Sequence, residues 1–304
     1  MSPALKSLAA VVAAAAMVGA AIVGRGALET KKERDDLRLT VACDPLAEAF
    51  CRAAAAADPR LTIKVEGPEV TTKRLVDLPA GERPDIQAWV SAGPWLQMAD
   101  GRRAGQAPLQ RAVTAVASTP VVLVTRTGQN LGSCGKPPAG CLPLPRNQVG
   151  LASPRRNGVG LAGLAQIVLA RTGTRAADLD RNAIETGEGA AAVDALAAAT
   201  NPRAGFEQLN ANFAQANPLV TTKAAAAPAS GRASIVPSDP AVRVVLQVGI
   251  LDDTARLPLG AGEPAGRALQ KAATDAGWEP PGDPGGGLPD PGVLAALQDA
   301  WRGP

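Results

Sequence analysis

The chain has 304 residues, of which 46% are hydrophobic, and its 31 basic and 28 acidic residues leave a formal net charge of +3. The hydrophobic share is enough for a sizeable core or for two lobes. Basic and acidic residues are mixed along the chain and aromatic residues make up only 2%. The sequence therefore lacks the basic patch and the stacking surface that bind nucleic acids, and we predict no nucleic-acid partner.

The sequence contains no histidine. This absence excludes the Ser-His-Asp and Cys-His catalytic arrangements and removes the usual metal ligand. The pattern Gly158-x-Gly160-x-x-Gly163 resembles a dinucleotide fingerprint, but the polar segment Ser153–Asn157 separates it from the preceding strand, whereas the fingerprint needs a direct entry. The sequence predicts that the protein is not an enzyme and has no metal or cofactor.

An apolar run, Ser7–Val23, stands near the N-terminus and is followed by a charged segment, Glu29–Asp36. The run is intermediate in length between a signal-peptide core and a full membrane span. We predict that residues 1–36 are a transmembrane signal anchor with a charged stalk, or an ordinary signal peptide that is cleaved. The stalk favours the anchor.

Four cysteines occur as two local pairs, Cys43 with Cys51 and Cys134 with Cys141. Of the three possible connectivities, pairing between near neighbours is the simplest. Disulfides persist in oxidising compartments, so the pairs predict an extracytoplasmic domain at the cell membrane, or a secreted one if the signal is cleaved. Basic residues after the apolar run favour the opposite orientation, but large domains translocate largely regardless of such charges.

The first part of the domain predicts a β-α-β-α-β order. The predicted elements are strands at 37–42, 61–65 and 84–90 and helices at 44–57 and 70–78. This order predicts a parallel sheet, and ligands of such sheets lie beyond the carboxyl ends of the strands. Those ends carry Asp44 and the segment Ser91–Trp95, in which Ser91 can cap a helix through Met98. Asp44 is alternatively only a helix cap, and Trp95 only a packing residue.

The next segment predicts a strand at Gln148–Ala152, a polar turn, and a helix that begins at Gly158. Helix N-termini favour anions because their N–H groups are unpaired and the helix dipole is positive there. The candidate ligand-binding residues of this segment are Ser153, Arg155, Arg156, Asn157 and Gly158. We predict a cradle for an anionic or polar group; the alternative is a strand–turn–helix corner with two solvated arginines.

Further elements are predicted on both sides of this segment. They are strands at 121–125, 218–222, 233–236 and 242–250 and helices at 187–200, 205–216, 265–276 and 291–301. Thr222 and Ser238 lie at the ends of such elements and are weaker ligand-binding candidates.

Five segments together resemble an extracellular solute-binding protein of the type II periplasmic binding fold, in particular the membrane-anchored members of high-GC bacteria. They read LTVACDP, PDIQAWVSAGPW, STPVVLVT, VGLASPRRNGVGLAGL and ASIVPSD. The resemblance implies a two-lobe α/β fold in which two crossover strands join the lobes. Lobe 1 would comprise residues 37–119 and 240–304, and lobe 2 residues 120–239.

The resemblance also implies a function. The protein would be a membrane-tethered solute-binding component of a transporter or sensor, with a membrane permease as its protein partner. Its ligand would be small and polar or anionic, and would lie between Asp44 and Ser91–Trp95 on one side and Ser153–Gly158 on the other. The alternative is a cell-envelope module that keeps the fold but binds a protein or cell-wall partner on its surface.

Overall fold

A computed structural model describes residues 38–103, 105–109, 112–126, 131, 136–142, 149–201, 218–227, 233–237, 239, 241–251, 258–282 and 287–303. The predicted anchor and stalk at 1–36 and the predicted helix at 205–216 lie outside these residues. Within them, no helix is both long and apolar enough to cross a membrane.

Seven strands form the sheet of the described part of the chain. They are β1 (Leu39–Cys43), β2 (Leu61–Val65), β3 (Ala88–Ala92), β4 (Ala112–Arg126), β5 (Leu219–Thr222), β6 (Ala233–Pro237) and β7 (Arg243–Ile250). Their order is β2-β1-β3-β7-β4-β5, and β6 pairs with β4 as well. The predicted parallel pairing holds for β1 and β3, but β7 runs antiparallel to both of its neighbours, so the sheet is mixed.

The helices of the described residues pack around this sheet. They are α1 (Glu48–Ala57), α2 (Pro68–Val76), α3 (Trp95–Arg102), α4 (Gly158–Thr172), α5 (Arg181–Glu185), α6 (Gly187–Ala199), α7 (Lys223–Ala226), α8 (Pro264–Asp275) and α9 (Pro291–Ala300). Three of them, α2, α8 and α9, begin with a proline, whose fixed φ suits the first helical position and whose missing N–H is not needed there.

Strand β4 passes from one set of partners to another. Its residues Ala112–Pro120 pair with β7, and its residues Val121–Arg126 pair with β5 and β6. The sequence predicted only the second part, since the first three residues of β4 are exposed and give no apolar run. The predicted crossover strand at 121–125 is thus the second part of a longer strand, which is also buried from Val116 to Thr119.

Helix α4 is buried along almost its whole length, from Gly158 to Ala170. Its glycines let it approach its neighbours closely: a Cβ built on Gly163 would lie 2.6 Å from Val220 Cγ1 of β5. The glycine pattern that resembles a dinucleotide fingerprint therefore has a packing role here.

Two local predictions were wrong. The predicted strand at Gln148–Ala152 is not a regular strand in its described part, because Val149 and Gly150 form only isolated bridges. Ser91 does not cap the following helix: it lies inside β3, which extends to Ala92, and α3 begins after Pro94 without a side-chain cap.

Candidate functional site

Asp44 joins the carboxyl ends of two adjacent strands. Its Oδ1 accepts a hydrogen bond from Leu46 N at 2.9 Å, and its Oδ2 accepts one from Ala92 N at 3.4 Å, at the end of β3. Only 2% of Asp44 is exposed. Asp44 is therefore the cap of the first helical turn after β1, as one of its two interpretations predicted.

The carboxyl group of Asp44 holds its proton more tightly than an ordinary aspartic acid. Burial raises its pKa from 3.8 to about 6, against the opposing effect of the Leu46 and Ala92 N–H groups, and the negative charge of Glu69 raises it further. Glu69 thus lies close enough to Asp44 to add to the negative potential there.

Ser91 and Trp95 are both buried around the end of β3, and both use their polar atoms within their own segment. Ser91 Oγ donates to Gly93 O at 3.3 Å, and Trp95 Nε1 donates to Ala92 O at 3.1 Å. Their hydrogen bonds hold the turn between β3 and α3 in place.

The beginning of α4 packs directly on this turn. A Cβ built on Gly158 would lie 1.7 Å from Ala92 O and 3.4 Å from Trp95 Nε1. The structure therefore brings together the segments that the sequence selected separately, around Asp44, Trp95 and Gly158.

The N–H groups of Val159 and Gly160, in the first turn of α4, have partners within the chain. Asn157 Oδ1 accepts hydrogen bonds from Val159 N at 2.8 Å and from Gly160 N at 3.2 Å. The backbone oxygen of Ser153 accepts from the N–H groups of both Arg156 and Asn157 at 3.0 Å. An anion at this position would have to be bound by side chains rather than by these amides.

Arg155 contacts the C-terminal end of α9. Its Nε donates to Gln298 O at 3.3 Å and its Nη2 lies 3.5 Å from Asp299 O. Arg156 is exposed, and its guanidinium has no hydrogen bond or ion pair with the rest of the described chain. The two neighbouring arginines therefore differ, since only Arg155 is positioned by a second element.

A cavity of about 220 Å³ lies between α2, α3, α9 and the turn that precedes α4. We call it the edge cavity. Two predicted site residues, Trp95 and Arg155, line it. The sequence did not select the other residues that matter there, which are Glu69, Thr72, Arg102 and Gln298.

Most charged groups of the edge cavity are paired. Lys73 forms an ion pair with Asp77, and Arg102 Nη2 lies 3.1 Å from Asp299 Oδ1 and 2.9 Å from Gln298 Oε1. In contrast, no hydrogen bond or ion pair joins the Glu69 carboxylate to another described residue, and its Oε2 is buried.

Thr72 presents a second unpaired polar atom to the edge cavity. Its residue is 5% exposed, and its Oγ1 is buried without a hydrogen-bond partner among the described residues. Native proteins pair almost all of their buried polar atoms, so two unpaired ones in the lining of one cavity make it a candidate site for a partner from outside the chain. Asp44 was selected because ligands lie beyond the carboxyl ends of strands, and the same rule could have found Glu69, which closely follows the end of β2.

Two larger cavities occur elsewhere in the described part of the chain. One, of about 330 Å³, has mainly apolar walls, and its two glutamines, Gln97 and Gln247, are hydrogen-bonded to each other at 3.0 Å. The other, of about 480 Å³, lies between α5, α6 and α9. Neither is lined by a buried carboxylate oxygen without a partner among the described residues, since the unpaired Asp194 of the second cavity is exposed, so the edge cavity is the stronger candidate for a polar ligand.

The remaining candidates lie apart from the edge cavity. Thr222 ends β5, and its Oγ1 accepts from Ala225 N at 3.2 Å as the cap of α7. Ser238 lies outside the described residues, as does Cys134. No group of three or more potential metal-ligating side chains occurs among the residues that are described.

The predicted bond between Cys43 and Cys51 is confirmed, with Cα atoms 6.6 Å apart. It ties the end of β1, next to Asp44, to helix α1. Cys141 is also disulfide-bonded.

Three solved structures illustrate what this chain is similar to. A periplasmic thiamin binding protein matches with a TM-score of 0.55 and 13% identity, over 87% of this chain and 95% of that chain. The sulfate-binding protein SubI from Mycobacterium tuberculosis H37Rv matches with a TM-score of 0.48 and 15% identity, over 88% and 92%. Full-length OxyR from Pseudomonas aeruginosa matches with a TM-score of 0.45 and 12% identity, over 91% and 80%.

No protein-family model matches the chain, and no curated protein does. The fold assignment rests on the thiamin binding protein, which has the highest TM-score of the three structures and is covered almost completely. The chain has a mixed α/β fold of the type II periplasmic binding protein class, as the resemblance in its sequence predicted.

Proposed function

We propose that the chain is an extracytoplasmic solute-binding protein, tethered to the membrane by residues 1–36, that binds a small polar solute in the edge cavity. It would deliver the solute to a permease or report its presence to a sensor, without chemical turnover. The observation that carries the proposal is the pair of unpaired polar groups, Glu69 and Thr72, in a cavity at the carboxyl edge of the sheet.

The size of the edge cavity restricts the solute. Its 220 Å³ is below the range of about 300–1,000 Å³ that is typical of ligand pockets. It corresponds to roughly seven water molecules at about 30 Å³ each. A solute of a few non-hydrogen atoms fits this space.

The two-lobe organisation is part of the same proposal. The edge cavity has walls from α2, α3 and α9, which would belong to lobe 1, and from the turn before α4, which would belong to lobe 2. Strands β4 and β6 would be the crossovers. This is supported by the pairing of β4, whose first part pairs with β7 and whose second part pairs with β5 and β6. Opening of the lobes would then open the cavity.

An anionic group on the solute remains compatible with the site, but the turn restricts how it is bound. Asn157 occupies two of the helix N–H groups, so the positive charge would come from Arg155 and Arg156. Arg155 is the better placed of the two because it lines the edge cavity.

A thermal-shift screen of the full chain in detergent tests the proposal. The panel contains amino acids and other small amines, inorganic anions, and small polyols, each at millimolar concentration. A solute at a hundred times its Kd should add about 2.7 kcal/mol to the free energy of unfolding, which gives a clear rise in Tm. If no compound changes the Tm, the solute-binding proposal fails, and the cell-envelope interaction module becomes the better account.

A further inference from the structure

Glu69 is the acidic side chain of α2 that the neighbouring cations leave unpaired. Lys73, one turn further along α2, forms its ion pair with Asp77. Arg74 pairs with Glu66 and, at 3.0 Å, with Asp85. Both basic side chains of α2 are thus engaged elsewhere, although Lys73 is at the spacing that normally pairs with Glu69.

The position of the Glu69 carboxylate is set by the glycine that precedes α2. A Cβ built on Gly67 would lie 2.5 Å from Glu69 Oε2 and 2.8 Å from Oε1, so the carboxylate folds back over Gly67. This leaves Oε2 buried and without a hydrogen bond within the described chain. The positive end of the helix dipole compensates only part of the cost of such a charge.

The surroundings of Glu69 include a second carboxyl group, that of Asp44. Glu69 contributes to the raised pKa of Asp44, which shows that its field reaches that carboxyl group. Thr72 lies three residues after Glu69 on the same face of α2, and its buried Oγ1 can accept a hydrogen bond. The edge cavity thus offers two hydrogen-bond acceptors, one of them charged. Of its cations, Lys73 and Arg102 form ion pairs, whereas Arg155 bonds only to backbone carbonyls.

We propose that the edge cavity binds the ammonium group of a small zwitterionic solute, with Glu69 as the counter-ion and Thr72 as a hydrogen-bond acceptor. This inference rests on the proposed solute-binding function and specifies its ligand class. Arg155 supplies the opposite charge: two of its N–H groups face carbonyls at the end of α9, and the remaining donors of its guanidinium are free to bind the carboxylate of the solute. Trp95 forms an aromatic wall of the same cavity.

Matched pairs of compounds test the charge requirement. Glycine, L-alanine and L-serine are each compared with their N-acetylated forms by thermal shift and isothermal titration calorimetry on the full chain. Sodium sulfate, potassium phosphate, sodium and potassium chloride, and glycerol complete the panel. We expect at least one free amine to bind, and its N-acetylated form to bind at least tenfold more weakly.

Matched variants test the role of Glu69. We expect Glu69→Gln to weaken binding of the amine at least tenfold, since it removes the charge but keeps the shape. Glu82→Gln removes the same charge from an exposed position outside the cavity and should leave affinity unchanged. Equal affinity in the wild type and Glu69→Gln would overturn the inference.

The panel separates the two proposals. Binding of an anion, a polyol or a simple salt cation, without binding of any amine, would overturn the ammonium site and leave the solute-binding function standing. Binding of no compound would overturn both.

Discussion

Gln298 and Arg155 are hydrogen-bonded to each other in both directions across 143 residues of sequence. Gln298 Nε2 donates to Pro154 O at 3.2 Å and to Arg155 O at 3.4 Å, while Arg155 Nε donates to Gln298 O at 3.3 Å. The same Gln298 side chain accepts from Arg102 of α3 at 2.9 Å. One buried amide therefore joins the last helix, α3 and the turn before α4, and closes one wall of the edge cavity.

The first prediction concerns this amide. Gln298→Ala should lower the free energy of unfolding by about 1–3 kcal/mol, because the backbone oxygens of Pro154 and Arg155 lose their donor and Arg102 loses one of its two acceptors. Urea denaturation measures the change. Gln106→Ala, at an exposed position, is the control and should have little effect. A Gln298→Ala variant as stable as this control would show that the amide does not hold the wall in place.

The second prediction concerns Asp44 and pH. Its folded pKa of about 6 lies above its ordinary value of 3.8, so the folded state binds the proton more tightly. The stabilisation from this group is complete only below its unfolded pKa of 3.8 and is lost as the pH rises through about 6. At about 1.4 kcal/mol per pKa unit, the loss is about 3 kcal/mol.

Comparison with Asp44→Asn isolates this effect from that of other carboxylates. The variant keeps an oxygen for Leu46 N–H but cannot ionise, so its stability should not show this loss. Denaturation at pH 4, 5, 6 and 7 should give a difference between wild type and variant that changes by about 2 kcal/mol, since part of the effect lies below pH 4. A difference that stays constant over this range would contradict the burial of an ionisable Asp44.

The third prediction concerns the contact between α4 and β3. Gly158→Ala should destabilise the protein by about 1–3 kcal/mol or more, because its Cβ would collide with the backbone oxygen of Ala92. Gly101→Ala is the matched control, because Gly101 lies in α3 and no atom lies within 4 Å of the added Cβ. Alanine at this position should raise the free energy of unfolding by about 0.5–1 kcal/mol. Equal effects of the two substitutions would mean that α4 does not approach β3 so closely.

The fourth prediction concerns Thr72. Thr72→Val replaces a buried hydroxyl, which has no partner among the described residues, with a methyl group of similar size. The free energy of unfolding should therefore either stay the same or rise by an amount on the order of 1 kcal/mol. The same change should weaken binding of the solute, which loses an acceptor. A loss of stability would show instead that the hydroxyl already has a partner, such as a bound water.

Much of the fold could be predicted from the sequence, because its elements carry local signals. Asp44 before a proline marked the first helical turn, and the β-α-β-α-β order placed Asp44 and Trp95 at the same edge of the sheet. The beginning of α4 at Gly158 was also correct, since Asn157 is a strong helix cap.

The content of the site could not be predicted in the same way. Glu69 and Thr72 matter because Glu69 Oε2 and Thr72 Oγ1 have no hydrogen-bond partner among the described residues. Such a lack can be recognised only when the positions of all neighbouring side chains are known. Gln298 acts on a turn that is distant in sequence. The sequence showed that Asn157 is polar, but not that its oxygen already occupies the N–H groups offered to an anion.

The most direct test of the account is the affinity of a solute for a protein whose edge cavity has been filled. Val76 of α2 lines the cavity, and Val76→Phe would occupy part of its volume from a half-buried position. With a compound from the screen, isothermal titration calorimetry should give one site per wild-type chain and at least a tenfold loss of affinity in Val76→Phe, with a similar Tm of the free protein. Unchanged affinity in the filled variant would contradict binding in the edge cavity.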